Sequence, residues 1–185
     1  MRSKILLAAI IAASGLAAFP AWAERATCIG YVEDFSVDDL VVPVGEQCVL
    51  DGTEVRGNVR VEEGAALEVL GAHIAGNLQA DGADRLELAS DSTVRGNVQV
   101  RRTRDVRLTA SRIGGNLQLD GNRGEVRIGR NAIAGNLQAV GNRGPLSISH
   151  NRIGGNLQCE RNRPLPDAYR NRVRGQTAGQ CDDEG

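Results

Sequence analysis

The sequence predicts an all-β protein, a single-domain right-handed parallel β-helix (a solenoid) of about 7–8 coils with 19–20 residues each. A Gly-Asn pair recurs at a nearly constant interval, and each interval holds only short apolar alternations of period two, which leaves no room for a helix. Residues 40–166 also contain no aromatic residue. Since aromatic side chains normally fill much of a globular core, regular stacking of smaller residues must fill this one.

The first 23 residues have the features of a secretory signal peptide. Arg2 and Lys4 give a positive start, residues 5–18 are apolar, and Ala21, Trp22 and Ala23 form an A-x-A cleavage site. The apolar run is shorter than the roughly 20 residues of a membrane span. We therefore expect cleavage after Ala23 and a secreted or periplasmic protein without a transmembrane segment. The expected divisions are a signal peptide (1–23), an N-terminal cap with the first coil (24–50), regular coils (51–163) and a C-terminal cap (164–185).

The charge balance is close to neutral. Lysine and arginine number 22 against 23 acidic residues, and removal of Arg2 and Lys4 leaves 20 against 23, a net charge of −3. Every remaining cation is an arginine, because Lys4 is the only lysine. This balance does not favour nucleic acid or an anionic membrane as a partner of the whole surface.

The repeat is defined by the asparagine of each Gly-Asn pair. Successive steps are 19, 20, 19, 20 and 20 residues. The markers are Asn58, Asn77, Asn97, Asn116, Asn136 and Asn156. Alignment of the flanking sequences adds a degenerate copy at each end, with Asp39 before Asn58 and Gln176 after Asn156. Such a period is typical of repeat architectures, in which each unit buries its apolar face against its neighbours.

Each unit contains two apolar alternations separated by Gly, Asn or Asp, which indicates very short strands joined by turns. Coils of parallel strands stack about 4.8 Å apart, so equivalent residues form columns. One inner column is Val55, Ile74, Val94, Ile113, Ile133, Ile153 and Val173, and a second is Val59, Leu78, Val98, Leu117, Leu137 and Leu157. The predicted right-handed sense follows from the strong preference for right-handed crossovers between parallel strands.

The four cysteines that follow the signal peptide are even in number, which in an exported chain implies disulfides. Cys48 lies 20 residues after Cys28, and Cys181 lies 22 after Cys159. Residues one coil apart lie within the Cα separation of about 4.4–6.8 Å that a disulfide requires. We therefore expect each pair to close one terminal coil and the protein to be a capped monomer. A metal site is the alternative, but there is no C-x-x-C and the two histidines, His73 and His150, are far apart.

The amide columns have a structural and a functional interpretation. The asparagine markers, together with Gln79, Gln99, Gln118, Gln138 and Gln158, are expected to form ladders in which each amide bonds to the next or caps a turn. The alternative is a flat polar face for a glycan, although exposed aromatics typical of sugar-binding faces are missing from it.

A column of arginines follows a second asparagine column, Asn122, Asn142 and Asn162, at a predicted corner. Its members are Arg104, Arg123, Arg143 and Arg163. Like charges on successive coils repel unless acids or a bound anion offset them, and Asp120, Glu125 and Glu160 are candidates for local offset. The structural interpretation is a solvated, partly ion-paired edge of arginines. The functional one is an anion-contact edge for phosphate, uronate or sulfate groups.

Catalytic residues are not evident, and we assign none. One acidic column contains Glu62, Asp81, Arg101, Asp120, Val140 and Glu160, in which only Glu62 and Asp81 are adjacent acids. A pair could perform acid–base chemistry, but no third group accompanies it in the sequence. No Ser-His-Asp arrangement, zinc-ligand spacing or phosphate-binding loop is present, so no metal or cofactor is implied.

The segments "DDLVVPVGEQCVLDGTEVRGNVRVEEGAAL", "IGGNLQ" and "IGGNLQCERNRP", with the ending "VRGQTAGQC", resemble a group of exported bacterial repeat proteins of unknown function. More broadly the chain resembles the pectin-lyase-like β-helix superfamily and, more distantly, the bactofilin-type solenoid. The resemblance implies the β-helix fold and brings no catalytic residues, because the acidic motifs of the enzyme families have no counterpart.

Three functions follow as hypotheses. The first is an exported, non-catalytic β-helix that acts as a structural or adhesin-like surface-interaction module at the cell envelope, with an envelope or extracellular glycan as partner. The second is a polysaccharide lyase or hydrolase on acidic glycans, using Glu62 and Asp81. The third is a bactofilin-like self-assembling scaffold.

Overall fold

The computed structural model describes residues 25–182, which form three parallel sheets arranged as the faces of a solenoid. Each coil contributes one short strand to sheet A, one to sheet B and one to sheet C, in that order along the chain. The predicted all-β parallel β-solenoid of about 8 turns is thereby confirmed. The right-handed sense stays a prediction. The predicted signal peptide lies outside the described residues.

The strand bounds show the same pattern in every coil. Sheet A contains β1 (Arg25–Thr27), β4 (Asp39–Val42), β7 (Val59–Val61), β10 (Leu78–Asp81), β13 (Val98–Arg101), β16 (Leu117–Asp120), β19 (Leu137–Val140), β22 (Leu157–Glu160) and β25 (Thr177–Gly179). Sheet B contains β2 (Gly30–Glu33), β5 (Gln47–Asp51), β8 (Ala66–Leu70), β11 (Arg85–Ala89), β14 (Asp105–Thr109), β17 (Val126–Gly129), β20 (Leu146–Ser149) and β23 (Asp167–Tyr169). Sheet C contains β3 (Ser36–Val37), β6 (Glu54–Val55), β9 (His73–Ile74), β12 (Thr93–Val94), β15 (Arg112–Ile113), β18 (Ala132–Ile133), β21 (Arg152–Ile153) and β24 (Arg172–Val173).

Three corners connect the sheets, and we name them by the sheets that they join: the A–B, B–C and C–A corners. No helix of the length and apolar character that a membrane span requires occurs among residues 25–182.

The core consists of aliphatic columns that run the length of the solenoid. Strand pairing places Ile113 on Ile133 and Ile133 on Ile153, and it places Leu117 on Leu137 and Leu137 on Leu157. These residues are at most 2% exposed. Because side chains alternate between the two faces of a strand, one residue in two points inward. The core therefore reaches close packing with Leu, Ile, Val and Ala, and this explains the stretch without aromatics.

The glycine before each marker asparagine is required by the close approach of successive coils. A Cβ placed on Gly135 would lie 2.5 Å from Oδ1 of Asn116 and 2.8 Å from the carbonyl oxygen of Gly115. Gly115 has the same relation to Asn97, at 2.5 Å. No side chain fits there without moving backbone, so the Gly-Asn pair is a packing requirement.

The two terminal coils are each closed by a disulfide. Cys28 is bonded to Cys48, with their Cα atoms 5.6 Å apart, and Cys159 is bonded to Cys181, with their Cα atoms 5.3 Å apart. These are the pairings that the solenoid interpretation predicts, and the described residues contain no free cysteine. The exposed large apolar side chains are confined to the ends: Ile29, Tyr31, Phe35, Val44, Leu165 and Tyr169.

We predict that Gly135→Ala lowers the free energy of unfolding by about 2 kcal/mol, the cost of forcing extra volume into a close-packed contact. Urea denaturation followed by circular dichroism measures the change. Gly129→Ala is the matched control, because a Cβ on Gly129 meets its nearest neighbour, the Ser149 carbonyl oxygen, at 3.8 Å. Equal destabilisation by the two substitutions would contradict the packing explanation.

Loss of one disulfide is predicted to act on its own end of the solenoid. Cys28→Ser together with Cys48→Ser opens a loop of 20 residues, for which chain entropy predicts a loss of about 3 kcal/mol. Because each coil contacts only its neighbours, amide hydrogen exchange should accelerate in β1, β2 and β5 and stay slow in β16 and β17. Uniform acceleration along the chain would contradict this picture.

Candidate anion-binding site

The marker asparagines form a hydrogen-bonded ladder along the C–A corner. Oδ1 of Asn97 accepts the backbone N–H of Asn116 at 2.8 Å, and Oδ1 of Asn116 accepts that of Asn136 at 2.8 Å. Asp39 begins the ladder by accepting the N–H of Asn58, and the N–H of Gln176 ends it on Asn156. These bonds consume the amide oxygens, so the column is a structural element of the turn.

Two further asparagine ladders are buried at the other corners. At the A–B corner, Asn142 accepts the N–H of Asn122 at 3.0 Å and donates through Nδ2 to the carbonyl of Leu119 at 3.0 Å and to Oδ1 of Asn162 at 2.8 Å. At the B–C corner, Asn131, Asn151 and Asn171 make the same arrangement. This third ladder was not predicted from the sequence.

The glutamine row does not form the expected ladder. Its members lie in register on the outer face of sheet A. Among the described residues no amide–amide hydrogen bond joins them, and the one side-chain bond is from Nε2 of Gln158 to Glu160 at 2.6 Å. Outward-facing amides in water gain little by bonding to each other, so the row remains solvated.

The predicted arginine edge lies along the A–B corner, and we call Arg104, Arg123, Arg143 and Arg163 the A–B arginine edge. Their column is held by backbone bonds, such as the N–H of Arg143 to the carbonyl of Asn122 at 2.8 Å. Arg104 is ion-paired with Asp84. Of the three candidates for local offset, Asp120 pairs instead with Arg101 at 3.7 Å and Glu125 with Arg127 at 2.6 Å, and Glu160 accepts a hydrogen bond from Gln158.

Glu62 follows β7 and Asp81 ends β10, the neighbouring strand of sheet A one coil later. Asp81 is engaged by Arg102, which donates from Nε to Oδ1 at 2.9 Å and from Nη2 to Oδ2 at 2.6 Å. This two-pronged contact holds Asp81 as a counter-charge on the surface. Within residues 25–182 no group of three or more His, Cys, Asp or Glu side chains is placed to hold a metal ion.

A groove runs along the outer face of sheet C, and we call it the sheet C groove. Its volume is about 750 Å³. One outer row of the sheet is Thr93, Arg112, Ala132, Arg152 and Arg172, and the next is Arg95, Gly114, Ala134, Gly154 and Arg174. Over these five coils the groove is about 19 Å long, counted as four coil spacings. Small residues form its floor, and arginines stand at its ends and along one side.

The charge of the groove, more than its shape, makes it a candidate binding site. Two floor glycines have a packing explanation, since a Cβ on Gly114 or Gly154 would overlap a carbonyl oxygen of the preceding coil. The five arginines have no such explanation. Of these five arginines only Arg112 has an ion pair within residues 25–182, to Asp91 at 3.8 Å, and no acidic residue lines the groove.

A smaller cleft continues from this groove around the B–C corner, and we call it the corner pocket. It has a volume of about 340 Å³. Its charged and polar lining comprises Arg130, Asn131, His150, Asn151, Arg152, Arg170 and Arg172. Arg152 and Arg172 belong to both cavities, whereas Arg130, His150 and Arg170 line only the corner pocket.

The near-neutral composition hides a strong segregation of charge. Residues 25–127 contain 12 arginines against 17 acidic residues, whereas residues 128–174 contain 8 arginines against 2 acidic residues. In the described part of the chain, no arginine after Arg127 has an ion pair. The repeats did contain a sign of the groove, because the position before the inward-facing Ile or Val is arginine in several coils. At this position the arginines alternate with alanine and threonine, so they do not form an unbroken column in the sequence.

Comparison of the chain with protein-family models, with curated proteins and with solved structures finds no match. The fold and the arrangement of the arginines are therefore the basis for any functional assignment.

We predict that Asn142→Ala lowers the free energy of unfolding by about 3 kcal/mol, because it leaves the buried N–H of Asn122 without its acceptor and removes the bonds from Nδ2 of Asn142 to Leu119 and Asn162. Asn136→Ala, at the half-buried C–A corner, should cost about 1 kcal/mol, because water can replace the lost bond. Chemical denaturation of both variants measures the difference. A larger loss at Asn136 would show that burial does not govern the strength of the ladders.

Proposed function

We propose that the protein is an exported, non-catalytic binding module that holds a linear anionic glycan along the sheet C groove at the cell envelope. The observation that carries the proposal is the set of five groove arginines, of which four have no acidic partner in the described structure. The expected signal peptide and the two disulfides, which are typical of oxidising compartments, support a location outside the cytoplasm.

A polymer fits this surface better than a small anion does. Arg152 and Arg172 lie on adjacent coils, about 4.8 Å apart, and Arg112 lies two coils before Arg152. Carboxylates repeated along a chain of uronate sugars would meet these guanidinium groups in succession. Each arginine can form charge-assisted, two-pronged bonds with a carboxylate, and the anions would relieve the repulsion among the arginines.

The chemistry of the groove favours a glycan over single-stranded nucleic acid. Proteins that bind single strands combine basic grooves with aromatic side chains on which the bases stack. The groove lining contains no aromatic residue. Sugar rings could lie over the alanines and glycines of the floor, with their charges directed to the arginines.

The groove is a stronger candidate than the A–B arginine edge. The edge is a convex corner with one arginine per coil, whereas the groove presents two rows and a concave floor. Sheet C connects the other two corners, so the two surfaces face different sides of the solenoid and can be tested separately.

The test is binding of polygalacturonate to two double variants with the same change in net charge. Arg112→Glu with Arg174→Glu removes charge from the groove, and we expect at least a tenfold loss of affinity, about 1.4 kcal/mol. The matched control, Arg123→Glu with Arg143→Glu, should change the affinity less than threefold, because its charges lie on the A–B arginine edge. Biolayer interferometry at low ionic strength, where surface charges are least screened, measures both.

Equal losses in the two variants would indicate attraction to net charge alone and would contradict a specific groove. Loss only in the control variant would move the site to the A–B arginine edge. Release of shortened polymer during the same incubation would contradict a non-catalytic role.

A further inference from the structure

We propose that the corner pocket is a separate subsite for a phosphate monoester carried by the anionic glycan as a substituent or end group. The inference rests on the proposed function, because the glycan in the sheet C groove would deliver this group to the adjoining corner. It adds a second ligand chemistry in a neighbouring cavity, which shares Arg152 and Arg172 with the groove and adds Arg130, His150 and Arg170.

The corner pocket has a higher density of positive charge than the groove, with four arginines around about 340 Å³ against five around about 750 Å³. Four arginines and a histidine from three successive coils surround about 340 Å³, and no acidic residue lines it. A phosphate monoester carries about −1.5 to −2 charges at neutral pH and three acceptor oxygens. A uronate carboxylate or a sulfate ester carries one negative charge. The concentration of guanidinium groups therefore matches the most highly charged of these ligands.

The floor of the pocket is rigid. Asn131 accepts the N–H of Ser111 through Oδ1 at 3.0 Å and donates through Nδ2 to the Leu108 carbonyl at 2.7 Å. Asn151 makes equivalent bonds. The ring of Tyr169 also packs edge-on against His150, with centroids 5.5 Å apart. The asparagine floor and the His150 ring are thus held in place before a ligand arrives, which reduces their share of the entropy lost on binding.

Three pocket residues occupy a backbone conformation that disfavours them. Arg130, His150 and Arg170 have φ values of 58°, 58° and 54°, in the left-handed region. The equivalent turn positions of earlier coils include Gly52 and Gly71, for which this region carries no steric cost. Ala110 shows that another residue is tolerated there, with φ of 46°. The left-handed conformation is therefore set by the turn in each coil, and what distinguishes these three coils is that two arginines and a histidine occupy a position where glycine would carry no steric cost.

The experiment uses glucose 6-phosphate as the probe, with glucose 6-sulfate and glucose as comparisons. Titration into the ¹⁵N-labelled oxidised protein should shift the amide resonances of Ala132, His150 and Asn151. We expect affinity for the phosphate to exceed that for the sulfate at least threefold, and glucose to cause no shift. Equal affinity for phosphate and sulfate, or shifts centred on Gly114 and Ala134 in the groove, would overturn the assignment.

The decisive variant is Arg130→Gly with Arg170→Gly. It should weaken glucose 6-phosphate binding at least tenfold while raising the melting temperature by about 2 °C, because glycine relieves the left-handed strain. The matched control is Ala110→Gly, which relieves the same strain but leaves the pocket charges intact, so phosphate binding should stay unchanged. Retained phosphate binding in the double variant would overturn the proposal.

The two proposals fail in distinguishable ways. The Arg130→Gly/Arg170→Gly variant should still bind polygalacturonate, which carries no phosphate, within threefold of the parent protein. Polygalacturonate binding without phosphate binding would leave the groove assignment standing and overturn the subsite. Phosphate binding without polygalacturonate binding would overturn the groove assignment, and the subsite would then be established by the response of the double variant.

Discussion

The structure depends on one constraint, the parallel stacking of coils at about 4.8 Å. At this spacing every residue contacts its equivalent in the coils before and after. Apolar residues then form continuous columns, glycines are required wherever two turns approach closely, and an asparagine at a corner can bond to backbone one coil away. The same constraint concentrates charge, because an arginine placed at one position is brought close to its equivalents. Core, turns and charged surface therefore share one cause.

Charge is the property in which the two halves of the solenoid differ. In the first coils, arginines lie beside acids, as in the pairs of Arg56 with Asp38 and Arg102 with Asp81. Between residues 128 and 174 there are two acids against eight arginines, and these arginines are exposed without acidic partners in the described structure. Exposed ion pairs contribute little to stability, so the basic half gains no folding advantage from its arginines. The proposed anionic ligand would give these residues a role that the fold alone does not.

The sequence predicted the repeat-dominated features of the structure. The marker asparagines, the columns through Ile113 and Leu117 and the pairing of Cys28 with Cys48 follow from a period of about 20 residues and a fixed spacing. The sheet C groove did not follow, because Arg112 and Arg152 are separated by Ala132 and flank a floor that exists only once strands β12 to β24 are laid side by side. The contact of Arg102 with Asp81 was not predicted for a similar reason. Arg102 lies one position beyond the residue that is in register with Asp81, and such an offset at a turn decides which charged side chains come into contact. Local side-chain direction at corners is set by backbone geometry that the repeat does not encode.

The row of left-handed residues at the B–C corner is a position where the fold tolerates different side chains. Its backbone is fixed by bonds between coils, as from the N–H of Arg130 to the carbonyl of Ser149 and from that of His150 to the carbonyl of Tyr169. The side chains point away from the core, and the row already contains Asp, Gly, Ala, Arg and His. Each coil thus offers one position that can change without disturbing the columns inside. Substitutions at this position could therefore change the ligand-binding surface of the corner one coil at a time, while the core stays the same.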